Sequence, residues 1–442
     1  MGEKIRTLIR EDAKRALHYI QVMAKWGVVA AVIGVLSGVI GTAFHIAAHE
    51  AAHLRAHHAW LLWGLPVAGL AIVGLYKLTK TEGVGTNAVL EAVRLDTPLS
   101  VFLLPAIFLG TVLTQLCGGS GGREGAALQM GGTIGYNTGR LFRLDDRDRR
   151  TATMAGMAAF FAAVFGTPLA ATVFSVVIAS IGAVYHAAFV PCLTASLVAY
   201  GISLRMGAEP TRLAVVMPEL EPVMLLKVAL LAVLFALVAR LFCGVMHFVE
   251  HELAHRFPNP WVRVVVGAFA VIGLTYLCGT TDYNGAGMEV ATIAVEQGTV
   301  AHPAAFLLKL LFTAISLGAG FKGGEVVPAF FVGATFGCVV GPLLGIPAGA
   351  AAALGLVAVF CGAINCPLAS IVLAIELFGD GGLLYFALTC GISYMLSGYN
   401  GLYSSQLQLY SKLKAQYINV RTNNYRTGDL HDEPPVLGSM KD

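Results

Sequence analysis

The sequence predicts an all-α, polytopic membrane protein, and three observations carry that prediction: composition, the length of the apolar runs, and their lack of period-two alternation. Hydrophobic residues make up 57% of the 442 residues and charged residues only 12%, far below the roughly 25% charge usual in soluble domains. Trp26 to Ala48, Leu61 to Leu75, Leu225 to Val249 and Trp261 to Cys278 approach the roughly 20 residues that cross a bilayer core. A membrane barrel needs alternating apolar and polar residues, which these runs lack. The 51 glycines predict many tilted, short and broken helices, because glycine lets backbones approach and non-helical backbone survives at membrane depth only inside protein.

At the start of the chain, Lys4, Arg6, Arg10, Lys14 and Arg15 alternate with Ile5, Leu8, Ile9 and Leu17. The pattern predicts a cytoplasmic amphipathic helix over 1–26 rather than a cleaved signal, since no small-residue cleavage site follows a short apolar core. A first membrane repeat is expected over 27–209, a polar, proline-containing connection over 210–222, a second repeat over 223–412 and a short tail over 413–442. Arg140, Arg143, Arg147, Arg149 and Arg150 form a second basic stretch that the positive-inside rule places in the cytoplasm. The eight cysteines, scattered and mostly within apolar runs, read as small buried hydrophobes rather than metal ligands.

Three features recur in order at one distance. His45-x3-His49-Glu50-x2-His53 returns as His247-x3-His251-Glu252-x2-His255, and 247 − 45 = 202. Gly83-Val84-Gly85 returns as Gly285-Ala286-Gly287, again at 202. Gly121-Gly122 with Gly131-x-Thr133-x-Gly135 returns as Gly323-Gly324 with Gly333-x-Thr335-x-Gly337, once more at 202. Further on, Thr167-Pro168-Leu169-Ala170 matches Cys366-Pro367-Leu368-Ala369 at 199, so three residues are lost in between. A duplicated unit explains all four. Duplicated transporter halves commonly sit in opposite orientations, with broken helices aimed at a site near the membrane midplane. Helix N-termini there carry free N–H groups and partial positive charge, and so attract anions. Gly83 to Val93, Gly121 to Met130 and Gly323 to Phe331 each read as a glycine-rich turn running into such a helix start.

Arg123 and Glu124 place two charges within an otherwise uncharged membrane stretch, where ionisable residues are costly and mark ion pathways. The alternative reading is a local ion pair at a headgroup boundary. The string Gly122-Arg123-Glu124-Gly125, followed by Gln129-Met130-Gly131-Gly132, resembles the gating-glutamate motif of the CLC family of anion channels and anion/proton exchangers, with Ala126 where that motif has proline. Gly323-Gly324-Glu325-Val326-Val327-Pro328 is similar to the family's second glycine-rich element, and Gly401-Leu402-Tyr403-Ser404 to the element that supplies its pore tyrosine. The resemblance covers roughly residues 27 to 412 and implies a CLC-like core of two inverted repeats, each chain of a homodimer holding its own pathway. It also implies that Glu124 gates, because a carboxylate is itself an anion and competes with the transported ion for the same N–H groups. Tyr403 and the backbone N–H groups of Val326 and Val327 would hold a central anion, with Val84, Gly85, Asn87, Arg123 and Gly125 around it.

Chloride-type members place a serine in the run that reads Gly83-Val84-Gly85-Thr86-Asn87 here, and an inner glutamate where Val177 and Ile178 stand. Met130 and the run Phe321-Lys322-Gly323-Gly324-Glu325-Val326 instead look like the fluoride/proton antiporter branch. There Glu325 would be a second carboxylate bearing on the pathway; its alternative is an ion pair with Lys322 three residues away. Fluoride holds water tightly, so a selective site needs close donors, and Asn87 could supply one. Val84, without a polar or sulfur side chain, and Val327, where the branch often has threonine, depart from that pattern.

The expected substrates are therefore fluoride or chloride ions and protons, fluoride ranking first, with a chloride channel or chloride/proton exchanger as the alternative. The expected setting is a bacterial-type inner (plasma) membrane, multi-pass, with both termini cytoplasmic and no nucleic-acid partner. No catalytic residue, cofactor or metal is expected. The remote rival is an intramembrane zinc protease built on His49-Glu50-x2-His53 or His251-Glu252-x2-His255, which would need a third ligand that neither run supplies. The ladder His45, His49, His53 and His57 reads more simply as the polar face of a helix end at the membrane surface.

Overall fold

A computed structural model describes residues 2–413 and 416–423, apart from the side chains of residues 2–9 and 13. Residues 424–442 of the expected tail, and the side chains of Lys4 and Arg6 in the expected basic helix, lie outside the described residues. Among the described residues the α-helices fall into two sets of eight. The first set is α1 (Gly2–His57), α2 (Leu65–Leu78), α3 (Thr86–Leu95), α4 (Leu103–Leu116), α5 (Glu124–Leu141), α6 (Asp146–Phe165), α7 (Pro168–Val177) and α8 (Phe189–Arg205). The second is α9 (Pro222–Arg256), α10 (Pro260–Cys278), α11 (Met288–Glu296), α12 (Ala305–Ala319), α13 (Val326–Val340), α14 (Ala348–Ile364), α15 (Pro367–Phe378) and α16 (Leu383–Leu396).

The starts of α3, α4, α5 and α6 lie 202 residues before those of α11, α12, α13 and α14, since 288 − 86, 305 − 103, 326 − 124 and 348 − 146 are all 202. Those of α7 and α15 differ by 367 − 168 = 199. The lost residues are located by the helices themselves, because α6 has 20 residues and α14 has 17. Among the described residues six helical stretches are long and apolar enough to cross a bilayer, and six shorter apolar helices of 10–17 residues lie among them. That mixture of long and broken helices is what glycine-rich, charge-poor sequence predicts.

The recurring Gly-x-Thr-x-Gly runs are helix-crossing points. A Cβ on Gly131 would lie 2.3 Å from the carbonyl oxygen of Gly156, and one on Gly333 2.0 Å from that of Gly355. In lipid, helices gain no hydrophobic stabilisation from meeting one another, so close backbone contact at small residues holds α5 on α6 and α13 on α14. Thr133 and Thr335 turn their hydroxyls back onto Gln129 O and Phe331 O, both at 2.7 Å, so neither exposes a polar group at the crossing.

The expected basic helix is not a separate element: α1 runs unbroken over 56 residues from Gly2 to His57. The connection lacks regular structure over residues 208–221 and is pinned by Thr211 N donating to Phe165 O and Leu213 N to Leu377 O. One feature lies outside the all-α expectation, a small sheet of β1 (Ser180–Ile181), β2 (Leu407–Tyr410) and β3 (Tyr417–Arg421). β2 pairs parallel with β1 and antiparallel with β3. Just before β2, Gln406 Nε2 donates to Ile178 O at 2.8 Å and to Ile364 O at 2.9 Å, tying the end of the chain to both halves.

Candidate functional site

The two glycine-rich turns meet each other. Gly122 N donates to Gly324 O at 2.6 Å and Gly324 N to Gly122 O at 2.9 Å, an antiparallel bridge. The partners are 324 − 122 = 202 residues apart, so each glycine contacts its own counterpart, as on a two-fold axis. Two residues further on, α5 and α13 begin at Glu124 and Val326. Their unsatisfied N–H groups gather in one place. Glycine makes the join close: a Cβ at 122 would lie 1.9 Å from Glu124 Oε2, and one at 324 would lie 2.4 Å from the backbone nitrogen of Gly125.

Glu124 is fully buried. Its Oε2 accepts a hydrogen bond from Val327 N at 3.3 Å, so a carboxylate from the first half occupies an amide of the second half's helix start. Among the described residues its Oε1 has no hydrogen-bond partner, and neither has the hydroxyl of Tyr403, which is 2% exposed. Val326 and Val327 are buried at 0% and 4%. Burying a carboxylate this way is costly, and the positive end of the helix dipoles offsets part of that cost.

The third helix start, that of α3, joins the same cluster. Gln129 Nε2 donates to Thr86 Oγ1 at 3.1 Å, and a Cβ on buried Gly125 would come within 3.5 Å of that hydroxyl. Gly85 caps α3 in an extended conformation, and neither it nor Gly83 has any atom within 4 Å of where a Cβ would stand, so this side is open. Val84 is half-buried against the core. Asn87 is exposed, and its amide oxygen accepts from Ser405 N at 3.1 Å and Ser405 Oγ at 2.9 Å. The expected donor role is thereby confined to Nδ2, and the side chain's clear task is to tie the Tyr403 loop to α3.

Arg123 makes no ion pair with Glu124 among the described residues; its Nη1 lies 3.4 Å from both Nδ1 and the carbonyl oxygen of His45. Nor does Lys322 pair with Glu325 there: its Nζ sits 4.3 Å from the centroid of the Tyr76 ring. Glu325, just before α13, is half-buried. The histidine runs divide. His49, His53 and His57 are exposed, whereas His45 and His247 turn inward onto Val164 O at 2.9 Å and Gly401 O at 2.8 Å. Among the described residues no three His, Cys, Asp or Glu side chains converge as metal ligands.

Sequence reasoning missed several supports. His247 braces the Tyr403 loop through Gly401, together with Asn423, whose Nδ2 donates to Gly401 O at 3.0 Å; its histidine pattern was visible but pointed to metal. Lys309, fully buried in α12, was legible as a charge in an apolar run and went unread.

Comparison with known proteins agrees with this geometry. Residues 68–398 match the family described as "Voltage gated chloride channel". The chain is 37% identical over 409 residues to a "Chloride/fluoride channel protein" of Pseudomonas syringae pv. tomato, covering 90% of this chain and 89% of that protein. It is 26% identical to the "H(+)/Cl(-) exchange transporter ClcA" of Yersinia pestis bv. Antiqua, over 98% and 95% of the two chains. A crystal structure of a CLC-type fluoride/proton antiporter superposes with a TM-score of 0.84 at 33% identity, over 87% of this chain and 98% of the other. With the family matched over most of the membrane region and the relatives matched nearly end to end, the chain belongs to the voltage gated chloride channel family, the CLC family of membrane ion transporters.

Proposed function

We propose that this protein exports fluoride across a bacterial-type plasma membrane in exchange for protons, with Glu124 as the shared gate. The observation that carries this reading is the Glu124 carboxylate, seated on Val327 N through Oε2, whose Oε1 is buried without a partner among the described residues, as is the Tyr403 hydroxyl. An ionised Glu124 fills an anion's place on the amide. Protonation gives its oxygen an O–H that donates, so a small anion can be held between that hydrogen and the Tyr403 hydroxyl. Anion and proton thereby load at one location, which is thermodynamic coupling between two ligands. Small donors at short range suit fluoride, whose tight hydration must be replaced. The fluoride names of two relatives support the choice of ion.

Chloride is the second reading, supported by the chloride/proton exchange relative. The homodimer belongs to the proposal too, as do cytoplasmic termini. In that dimer each protomer would hold its own pathway. Glu325, half-buried and free of Lys322, is placed to relay protons or to receive the anion on one side of the gate.

The test is anion efflux from liposomes loaded with fluoride or chloride, with proton movement followed in parallel, for the wild type and Glu124→Gln. The wild type should move protons against a fluoride gradient, and Glu124→Gln should abolish that movement. Chloride efflux equal to fluoride efflux with no proton flux would overturn the proposal.

A further inference from the structure

Lys309 is a buried cation that the gate, as described, does not use. It lies in the second turn of α12 with no solvent exposure. Its Nζ donates to Tyr283 O at 3.1 Å and Gly285 O at 2.7 Å and stands 5.5 Å from the centroid of the Phe331 ring. No ion pair of Lys309 with a carboxylate occurs among the described residues; the bonds it makes there go to carbonyl oxygens.

Gly285 connects this lysine to the gate. Its carbonyl accepts from Gly121 N at 3.0 Å as well as from Lys309, and its own N–H donates to Gly119 O at 3.0 Å. The strand from Gly119 to Gly122 that leads into Glu124 is thus held against a loop that Lys309 anchors. Arg55 reinforces the same face, donating from Nη1 to Gln115 O at 3.0 Å, while Gln115 Nε2 donates to Gly121 O at 2.5 Å. Two cations therefore stand behind the gate strand, each bonded to carbonyl oxygens. In the first half the residue matching Lys309 is Ile107, since 309 − 202 = 107, so the duplication does not require a charge there.

Fold alone would be served by any group that can bond the two carbonyls. Holding a positive charge on Lys309 in a dry interior is expensive, and ionisable groups kept inside membrane proteins mark ion pathways. In low dielectric it acts over a longer range than it would in water. Of the charged groups that act on it, Arg55 from α1 opposes its positive charge and Glu124 from α5 favours it.

We propose that Lys309 is a positioning residue for transport: its charge holds the gate strand and supplies the field that makes the Glu124 site attractive to a dehydrated anion. This rests on the halide-transport reading given above. Three variants separate charge from scaffold: Lys309→Gln keeps donors without charge, Lys309→Met removes both, and Lys309→Arg keeps charge and donors. Fluoride efflux from liposomes is measured against internal fluoride concentration, with size-exclusion profiles in detergent to establish folding. Lys309→Gln and Lys309→Met should raise the half-saturating fluoride concentration on the order of tenfold, the scale of one unit charge acting through protein, with a much smaller change in maximal rate. Lys309→Arg should stay near the wild type. A folded Lys309→Gln with wild-type half-saturation would overturn the proposal, because it would show that the lysine acts only as a hydrogen-bonding strut. If the wild type itself moved no fluoride, the transport reading would fail first, and the two failures are distinguishable within one set of vesicles.

Discussion

Gly122 and Gly324 pair with each other, yet alanine should affect them in different ways. At 122 the added methyl meets Glu124 Oε2 at 1.9 Å, the end of a side chain that can rotate away. We expect Gly122→Ala to fold, to displace the carboxylate from Val327 N and to lower the proton-to-fluoride ratio in liposomes; full coupling in that variant would contradict the seating described. At 324 the methyl meets Gly125 N at 2.4 Å, backbone that cannot yield without parting the halves. Gly324→Ala should cost about 1–3 kcal/mol, as overpacking does, and lower the melting temperature in detergent. The sequence showed both glycines and the charge beside them. It could not show that they face one another, because residues 202 apart meet only through the fold of the entire chain.

At the scale of helices, Glu376 near the end of α15 reaches across to the start of α7, accepting from Leu169 N at 3.0 Å and Ala170 N at 2.7 Å. A carboxylate on free N–H groups at a helix start is a cap supplied in trans. Glu376→Ala should reduce stability by about 1–2 kcal/mol and leave the fluoride half-saturation unchanged; calorimetry in detergent alongside efflux checks both. Helix starts were readable before the structure, since glycine turns foretold α3, α5 and α13. Helix length was harder. The run from Met1 to Ala48 reads as two segments by charge, but backbone hydrogen bonding in a helix is indifferent to a change from polar to apolar side chains, and α1 continues through it. The sheet from β1 to β3 escaped because strands of two, four and five residues leave too little periodic trace.

For the molecule as a whole, the proposal gives each protomer its own gate at Glu124. Liposomes with mixed wild-type and Glu124→Gln subunits should therefore show proton-coupled flux that rises linearly with the wild-type fraction; a quadratic dependence would mean that the subunits share one pathway. The duplication was the most legible large-scale property, since three features in register, with a fourth in order behind them, outweigh chance even in a chain with 51 glycines. Positions that broke the register were less legible and more informative. Glu124 matches Val326, and Arg123 matches Glu325, at 202. Their roles come from that inequality, which self-comparison registers only as a mismatch.

The bridge between Gly122 and Gly324 is self-complementary, so two separate half-length polypeptides could make the same join by dimerising. Such an ancestor would have had to place identical side chains at both helix starts, offering two carboxylates to each other or none at all. Fusion into a single chain removed that constraint: one half became free to keep the acid and the other to keep the amide that receives it.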